Sequence, residues 1–188
     1  MPVEDPIEAF LSIPEAYSPR VSPDNEWVVC CWNETDRFEL HAYHLVTGER
    51  HQLTDGHLPM NPKGSREPEH ARHRWDHGND GVVFQGPKTG EGTPVYRASL
   101  DGSVEELFVA EGTIEVVAIN PETGCAYYRL GDETLCWQDP RSGETGCFPE
   151  YPGLPMTVRA PWTVSPDGQW VAYMALSPDA DENEIPQD

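Results

Sequence analysis

One turn, used twice, constrains this chain more than any other feature. Ser22-Pro23-Asp24-Asn25 and Ser165-Pro166-Asp167-Gly168 are each followed by one polar residue and then an apolar run. The runs are Trp27-Val28-Val29-Cys30-Cys31-Trp32 and Trp170-Val171-Ala172-Tyr173-Met174. Proline pre-sets the second position of a type I turn. The aspartate side chain bonds to a nearby backbone N–H, and asparagine or glycine tolerates the left-handed residue that closes a bulged hairpin. The same hairpin near both ends predicts a repeat.

The stretch between the two turns reads as strand and turn throughout. Ala16–Val21, the run to Trp32, Phe38–Leu45 and Arg50–Thr54 form four short strands, with Thr47-Gly48-Glu49 as the last turn. After a polar insertion from Asp55 to about Arg72, Arg74–Asp76, Val82–Gln85, Val95–Ala98 and Val104–Phe108 repeat the set. Gly78-Asn79-Asp80-Gly81 and Asp101-Gly102 are the turns of this second unit. In the third unit the strands are Ile114–Ile119, Cys125–Tyr128, Thr134–Trp137 and Thr145–Phe148. A fourth starts at Pro161–Val164 and stops after its second strand.

Two independent series of landmarks report the same phase. Asn25, Gly81, Gly124 and Gly168 lie 56, 43 and 44 residues apart, and Gly48, Gly102 and Gly143 lie 54 and 41 apart. Both place the one long interval between units one and two. Four strands in some forty residues match a β-propeller blade. Blades stack face to face, so their middle strands are buried on both sides. That accounts for the unbroken apolar runs Val28–Cys31 and Val82–Phe84. A two-layer sandwich competes but predicts no common phase.

The predicted fold class is therefore all-β, a partial β-propeller of four-stranded antiparallel blades, about three and a half in number. Residues 1–15 are a lead-in, 16–176 the incomplete propeller, and 177–188 an acidic polar tail or truncated loop. Three and a half blades do not close a ring. The expectation is the beginning of a longer protein, with open blade edges through which it can oligomerise; a compact four-bladed ring is the alternative.

Charge limits the partners. Thirty-three acidic residues face 12 basic ones, for a net charge of −21, and Lys63 and Lys88 are the only lysines. Nucleic acid and anionic membrane are disfavoured. Self-repulsion opposes compaction at physiological salt and is relieved by concentrated salt, which favours an intracellular, cytoplasmic protein of a high-salt cell over an acidic binding surface in an ordinary one. The acidic opening Met1–Asp5 does not read as a secretory signal, and the apolar runs are too short to span a bilayer. Cys30, Cys31, Cys125, Cys136 and Cys147 are odd in number and sit in strand-like settings. They are expected mainly as small core residues, although a disulfide between two of Cys125, Cys136 and Cys147 on neighbouring strands stays open.

The run Ala16–Val29 resembles the first propeller blade of prolyl-oligopeptidase-like serine peptidases. Glu39–Tyr43, Thr47–Thr54 and Ser165–Tyr173 extend the resemblance. It embraces acylaminoacyl-peptidase-like and dipeptidyl-peptidase-like members, and the acidic composition makes the chain similar to a haloarchaeal one. The resemblance implies a non-catalytic propeller that gates peptide access to an α/β-hydrolase domain in a longer parent. TolB-like propellers share the Ser-Pro-Asp-Gly hairpins with no enzyme attached, so a free-standing module binding protein or peptide is the alternative. The chain contains no glycine-x-serine-x-glycine elbow, and no catalytic residue is carried over from the family.

Individual candidates have plain explanations. His70, His73 and His77 with Asp76 form the densest metal-like group, but Arg72 and Arg74 intervene and no helix aligns the imidazoles. His41 and His44, three apart on a strand, point to opposite faces. Ser22, Ser165, Asp24 and Asp167 are explained by turn hydrogen bonds, and Glu105-Glu106 and Asp181-Glu182 by a solvated acidic surface. Glycines from Gly78 to Gly92 lack the strand–loop–helix setting of a nucleotide site. Trp27, Trp75, Trp137, Trp162 and Trp170 are expected in blade packing, unless exposure marks some for binding. No catalytic, cofactor or metal residue is assigned.

Overall fold

A computed structural model describes residues 16–33, 37–58, 73–76, 78–112, 114–120, 123–130, 134–148, 162–165 and 170–173. Among these residues fourteen strands follow one another in chain order. The first sheet contains β1 (Ala16–Val21), β2 (Trp27–Trp32), β3 (Glu39–His44) and β4 (Arg50–Gln52). The second contains β5 (His73–Trp75), β6 (Gly81–Gln85), β7 (Thr93–Ser99) and β8 (Val104–Ala110). The third contains β9 (Ile114–Ile119), β10 (Ala126–Leu130), β11 (Thr134–Gln138) and β12 (Thr145–Cys147). Finally, β13 (Trp162–Val164) pairs with β14 (Val171–Tyr173). Within each sheet every strand pairs antiparallel with the next in sequence. The lead-in, the tail and the Asp55–Arg72 insertion beyond Leu58 lie outside the described residues.

The turns form as their residues dictate. In the first unit Ser22 donates its N–H to the Trp27 carbonyl, Asn25 donates to the Ser22 carbonyl, and Asn25 takes φ 62°. The Ser22 hydroxyl oxygen accepts the Trp27 N–H at 2.9 Å, and Asp24 Oδ1 accepts that of Glu26 at 3.0 Å. In the fourth unit Ser165 donates to the Trp170 carbonyl, and its hydroxyl accepts the Trp170 N–H at 3.0 Å. Residues 166–169 lie outside the described set, but the bonds flanking the second turn reproduce the first.

Three turns share a second device. His44, Asn120 and Asp139 each accept, through the backbone carbonyl, the N–H of a glycine four residues on: Gly48, Gly124 and Gly143. All three glycines have φ between 71° and 75°, where a Cβ is costly.

In the second unit the left-handed residue is Asn79, at φ 60°, and not Gly81, which opens β6. The corrected landmark places Asn25 and Asn79 54 residues apart, the same interval as Gly48 to Gly102.

Prolines inside strands sit beside irregularities, as their missing N–H requires. Pro19 follows Ser18, at φ 53°, within the register shift between Tyr17 and Arg20. Pro94 extends β7 beyond its expected start and precedes the shift between Val95 and Tyr96.

The sheets pack in sequence order. Val29, Cys31, Leu40, Ala42 and Leu53 meet Trp75, Val82, Phe84 and Ala98 across the first interface. Val83, Val95, Phe108 and Ala110 meet Val116, Ala126, Tyr128 and Cys136 across the second. Neighbours Val82, Val83 and Phe84 thus feed opposite cores, and all three are buried. At about 2 kcal/mol or more for each large apolar side chain, these layers are the main attraction between blades. Polar links add register: Trp75 Nε1 donates to the Arg20 carbonyl at 2.9 Å, and the Val116 N–H to Gln85 Oε1 at 3.4 Å. The first strands lie side by side, with β9 against β5 and also against β13. Among the described residues this is an all-β, partial and unclosed propeller. None of them forms a helix long and apolar enough to cross a membrane.

Cys136 and Cys147 stand opposite each other on β11 and β12 and form a disulfide. The expectation that the cysteines are mainly core thiols fails for this pair, because antiparallel register puts the two side chains on one face. Cys30, Cys31 and Cys125 are buried free thiols. Burial pushes Cys31 up to about 12 and Cys125 up to about 11, so neither is a thiolate near neutrality.

Candidate functional site: a cavity between the second and third blades

Corresponding hairpins give corresponding positions. Ser22 and Asp76 each donate a backbone N–H to the carbonyl five residues on, that of Trp27 and of Gly81. Gly81 is therefore the second unit's counterpart of Trp27. The cross-strand pairs agree, since Val29 faces Ala42 in the first sheet and Val83 faces Arg97 in the second. The first unit places Trp27 and Ala42 where the second places Gly81 and Arg97.

The exchange reshapes the space between blades. Trp27 packs edge-on against His44 and His51, with ring centres 4.9 and 5.3 Å away, and joins the first interface. In the second interface no ring stands at Gly81 among the described residues. Arg97 lies over it, and a Cβ there would come within 2.8 Å of the Ala98 carbonyl oxygen and 3.0 Å of the guanidinium. A cavity of about 380 Å³ remains. Val83, Leu107 and Ile119 supply apolar lining, while Asp76, Asp80, Arg97, Glu105 and Arg141 supply charge.

Arg97 is the organising side chain. Its Nε donates to Asp76 Oδ2 at 2.6 Å, one terminal nitrogen to Asp80 Oδ1 at 2.5 Å and the other to Ser99 Oγ at 2.6 Å. Glu105 Oε1 lies 3.8 Å away. Asp76 is 5% exposed and also accepts the Gly78 N–H at 3.0 Å. Burial alone would lower the Arg97 guanidinium, but the bond and charge of Asp76, with Asp80 and Glu105, outweigh it and hold it above its ordinary value. Asp80 and Glu105 are exposed at the rim.

The other candidates separate. His73 is buried in β5 and Asp76 is committed to Arg97, while His70 and His77 lie outside the described residues. Among the described residues no group of three or more His, Cys, Asp or Glu is arranged to hold a metal. His41 packs on Trp32, and His44 on Trp27 across the sheet. Glu105 faces Arg97, whereas Glu106 bonds to Tyr96. Asp167, Asp181 and Glu182 lie outside the described residues. Trp27, Trp75 and Trp137 pack as expected; the Trp162 side chain lies outside the description. Trp170 does not pack, being 74% exposed. It occupies the Trp27 position, but the strand and histidines that flank Trp27 have no described counterpart in its unit.

No protein-family model matches the sequence, and comparison with curated proteins returns no relative. Solved structures do match. TolB from Acinetobacter baumannii superposes with a TM-score of 0.61 at 18% identity, over 85% of this chain and 37% of that one. The fold is propeller-like. A protein assigned as TolB from Agrobacterium tumefaciens gives 0.57 at 18% identity, over 86% of this chain and 60% of that one. A prolyl endopeptidase gives 0.53 at 14% identity, over 80% of this chain and 23% of that one. The chain thus spans less than two thirds of each of these structures. At such identities the likeness shows a distant β-propeller relationship and no particular family.

Proposed function

We propose that this chain is a TolB-like propeller module that binds a protein or peptide segment. The observation that carries the reading is the cavity between the second and third blades, which combines an apolar lining with charged groups held at its mouth. Pockets of this size and mixed character suit side chains presented by a partner. The serine hydroxyls of Ser22 and Ser165 are engaged by turn backbone, which supports a binding role over a nucleophilic one. Selection of random peptides displayed on phage against the immobilised chain tests the proposal. Enrichment of a common motif supports it, and no enrichment over a denatured control counts against it.

A second reading, a propeller that gates peptides ahead of an α/β-hydrolase domain, draws support from the likeness to a prolyl endopeptidase. The reading frame following Asp188 in the gene discriminates: a downstream nucleophile elbow favours gating, and its absence favours the free-standing module.

A further inference from the structure

We infer that the cavity beside Arg97, between the second and third blades, seats an aromatic side chain of a partner peptide whose neighbouring residue is lysine or arginine. This rests on the peptide-binding reading and names the ligand chemistry. Trp27, at the same hairpin position one blade earlier, fills the turn end of the first interface with an indole. The second interface has glycine there, overlain by the Arg97 guanidinium, and beside that guanidinium lies a cavity of about 380 Å³, room for one aromatic side chain. Its apolar lining comes from both blades, Val83 and Leu107 on one side and Ile119 on the other. An inserted ring would therefore be clasped by two sheets, the setting in which aromatic anchors contribute most to binding.

Charge selects what flanks the ring. Asp76, Asp80 and Glu105 set three carboxylates against the guanidinium groups of Arg97 and Arg141. Arg97 is bonded to the buried Asp76 and also to Asp80 at the rim, where Arg141 is exposed as well. The exposed pair, Asp80 and Glu105, faces solvent at the mouth and lies on a chain of net charge −21. Three carboxylates against two guanidinium groups leave the lining with one negative charge in excess, and on a chain of net charge −21 a cation beside the anchor is favoured over an anion.

The test is a two-dimensional ¹⁵N–¹H NMR titration of the full 188-residue chain. The probes are three capped tetrapeptides, acetyl-Gly-Trp-Lys-Gly-amide, acetyl-Gly-Ala-Lys-Gly-amide and acetyl-Gly-Trp-Glu-Gly-amide. The Trp-Lys peptide is expected to shift the amides of Gly81, Arg97, Leu107 and Gly124. It should bind at least about tenfold more tightly than the Ala-Lys peptide and about threefold or more above the Trp-Glu peptide. Glu105→Lys, at an exposed position, should reverse the Lys-over-Glu preference. Leu107→Trp should fill the cavity and abolish the shifts, with the remaining spectrum showing that the fold persists. Equal affinity for all three peptides, or shifts confined to another surface, overturns the inference and leaves the peptide-binding reading standing. No shift with any probe also overturns it, whereas the wider reading fails only if peptide display enriches nothing.

Discussion

Trp27 and Gly81 occupy one register position in successive blades, each accepting through its carbonyl the N–H of the residue five places earlier. The larger side chain seals its interface, and the smaller leaves a cavity beside Arg97. Opposite substitutions at the two sites should therefore both destabilise. Trp27→Ala removes a half-buried indole and is expected to cost about 2–3 kcal/mol. Gly81→Ala drives a methyl group against the Ala98 carbonyl and the Arg97 head group, and is expected to cost about 1–3 kcal/mol. Urea denaturation of each variant measures both.

Removing Arg97 should cost more than its partial exposure suggests. Arg97→Met leaves the Asp76 carboxylate buried without its cation, an expected loss of about 2–4 kcal/mol. Arg97→Met combined with Asp76→Leu should recover part of the loss. A double variant no more stable than the single one would show that the pair is not the source.

His51 should make stability depend on pH. Its Nδ1 bonds to the Leu100 carbonyl of the second blade at 2.5 Å and its Nε2 to Glu49 at 2.8 Å. Both partners only accept, so they favour a ring protonated on both nitrogens, and the Leu100 bond, then Glu49, raise the His51 pKa above 6.5. A group whose pKa is raised on folding contributes fully below its unfolded value and loses that contribution as pH rises through the folded one. The gap in denaturation midpoint between wild type and His51→Gln should be wider at about pH 5.5 than at about pH 8.5. An unchanged gap would exclude His51 as a charged link between blades.

The cysteines divide into three and two. Alkylation of unfolded, unreduced protein is expected to label Cys30, Cys31 and Cys125, and prior reduction should add Cys136 and Cys147. Mass spectrometry counts the adducts. By loop-closure entropy, replacing both half-cystines with serine should cost about 3 kcal/mol.

The net charge of −21 predicts that salt stabilises the chain. The thermal midpoint should climb as potassium chloride rises from about 0.1 M to 1 M, mostly through screening of self-repulsion. A flat response would remove the high-salt setting from consideration.

Much of the fold was legible because its turns are local chemistry. Ser22, Asp24 and Asn25 form their hairpin with their own backbone, so residue identity sufficed, and the unbroken run Val82–Phe84 announced burial on both faces. The cavity was not legible, and the cause is specific. Gly78-Asn79-Asp80-Gly81 offers several residues able to adopt positive φ, and taking Gly81 as the landmark set the second unit two residues out of phase. That concealed its equivalence to Trp27. The Arg97–Asp76 pair was hidden likewise, because a pairing across 21 residues of sequence depends on strand register. The disulfide followed from the same kind of information, and Trp170 from which strands lie beside it.

Because every described strand pairs with the strand next to it in the chain, the sequence separation between partners is small. The entropy lost in closing each loop is correspondingly low, and pairing of this kind forms quickly for an all-β topology. The first sheet and its edge draw on nothing beyond Thr54 for their ladder hydrogen bonds, so the sheet can assemble while later residues are still being synthesised. Each finished sheet then presents an apolar face on which the next can condense, a route open to growth from the amino-terminal end.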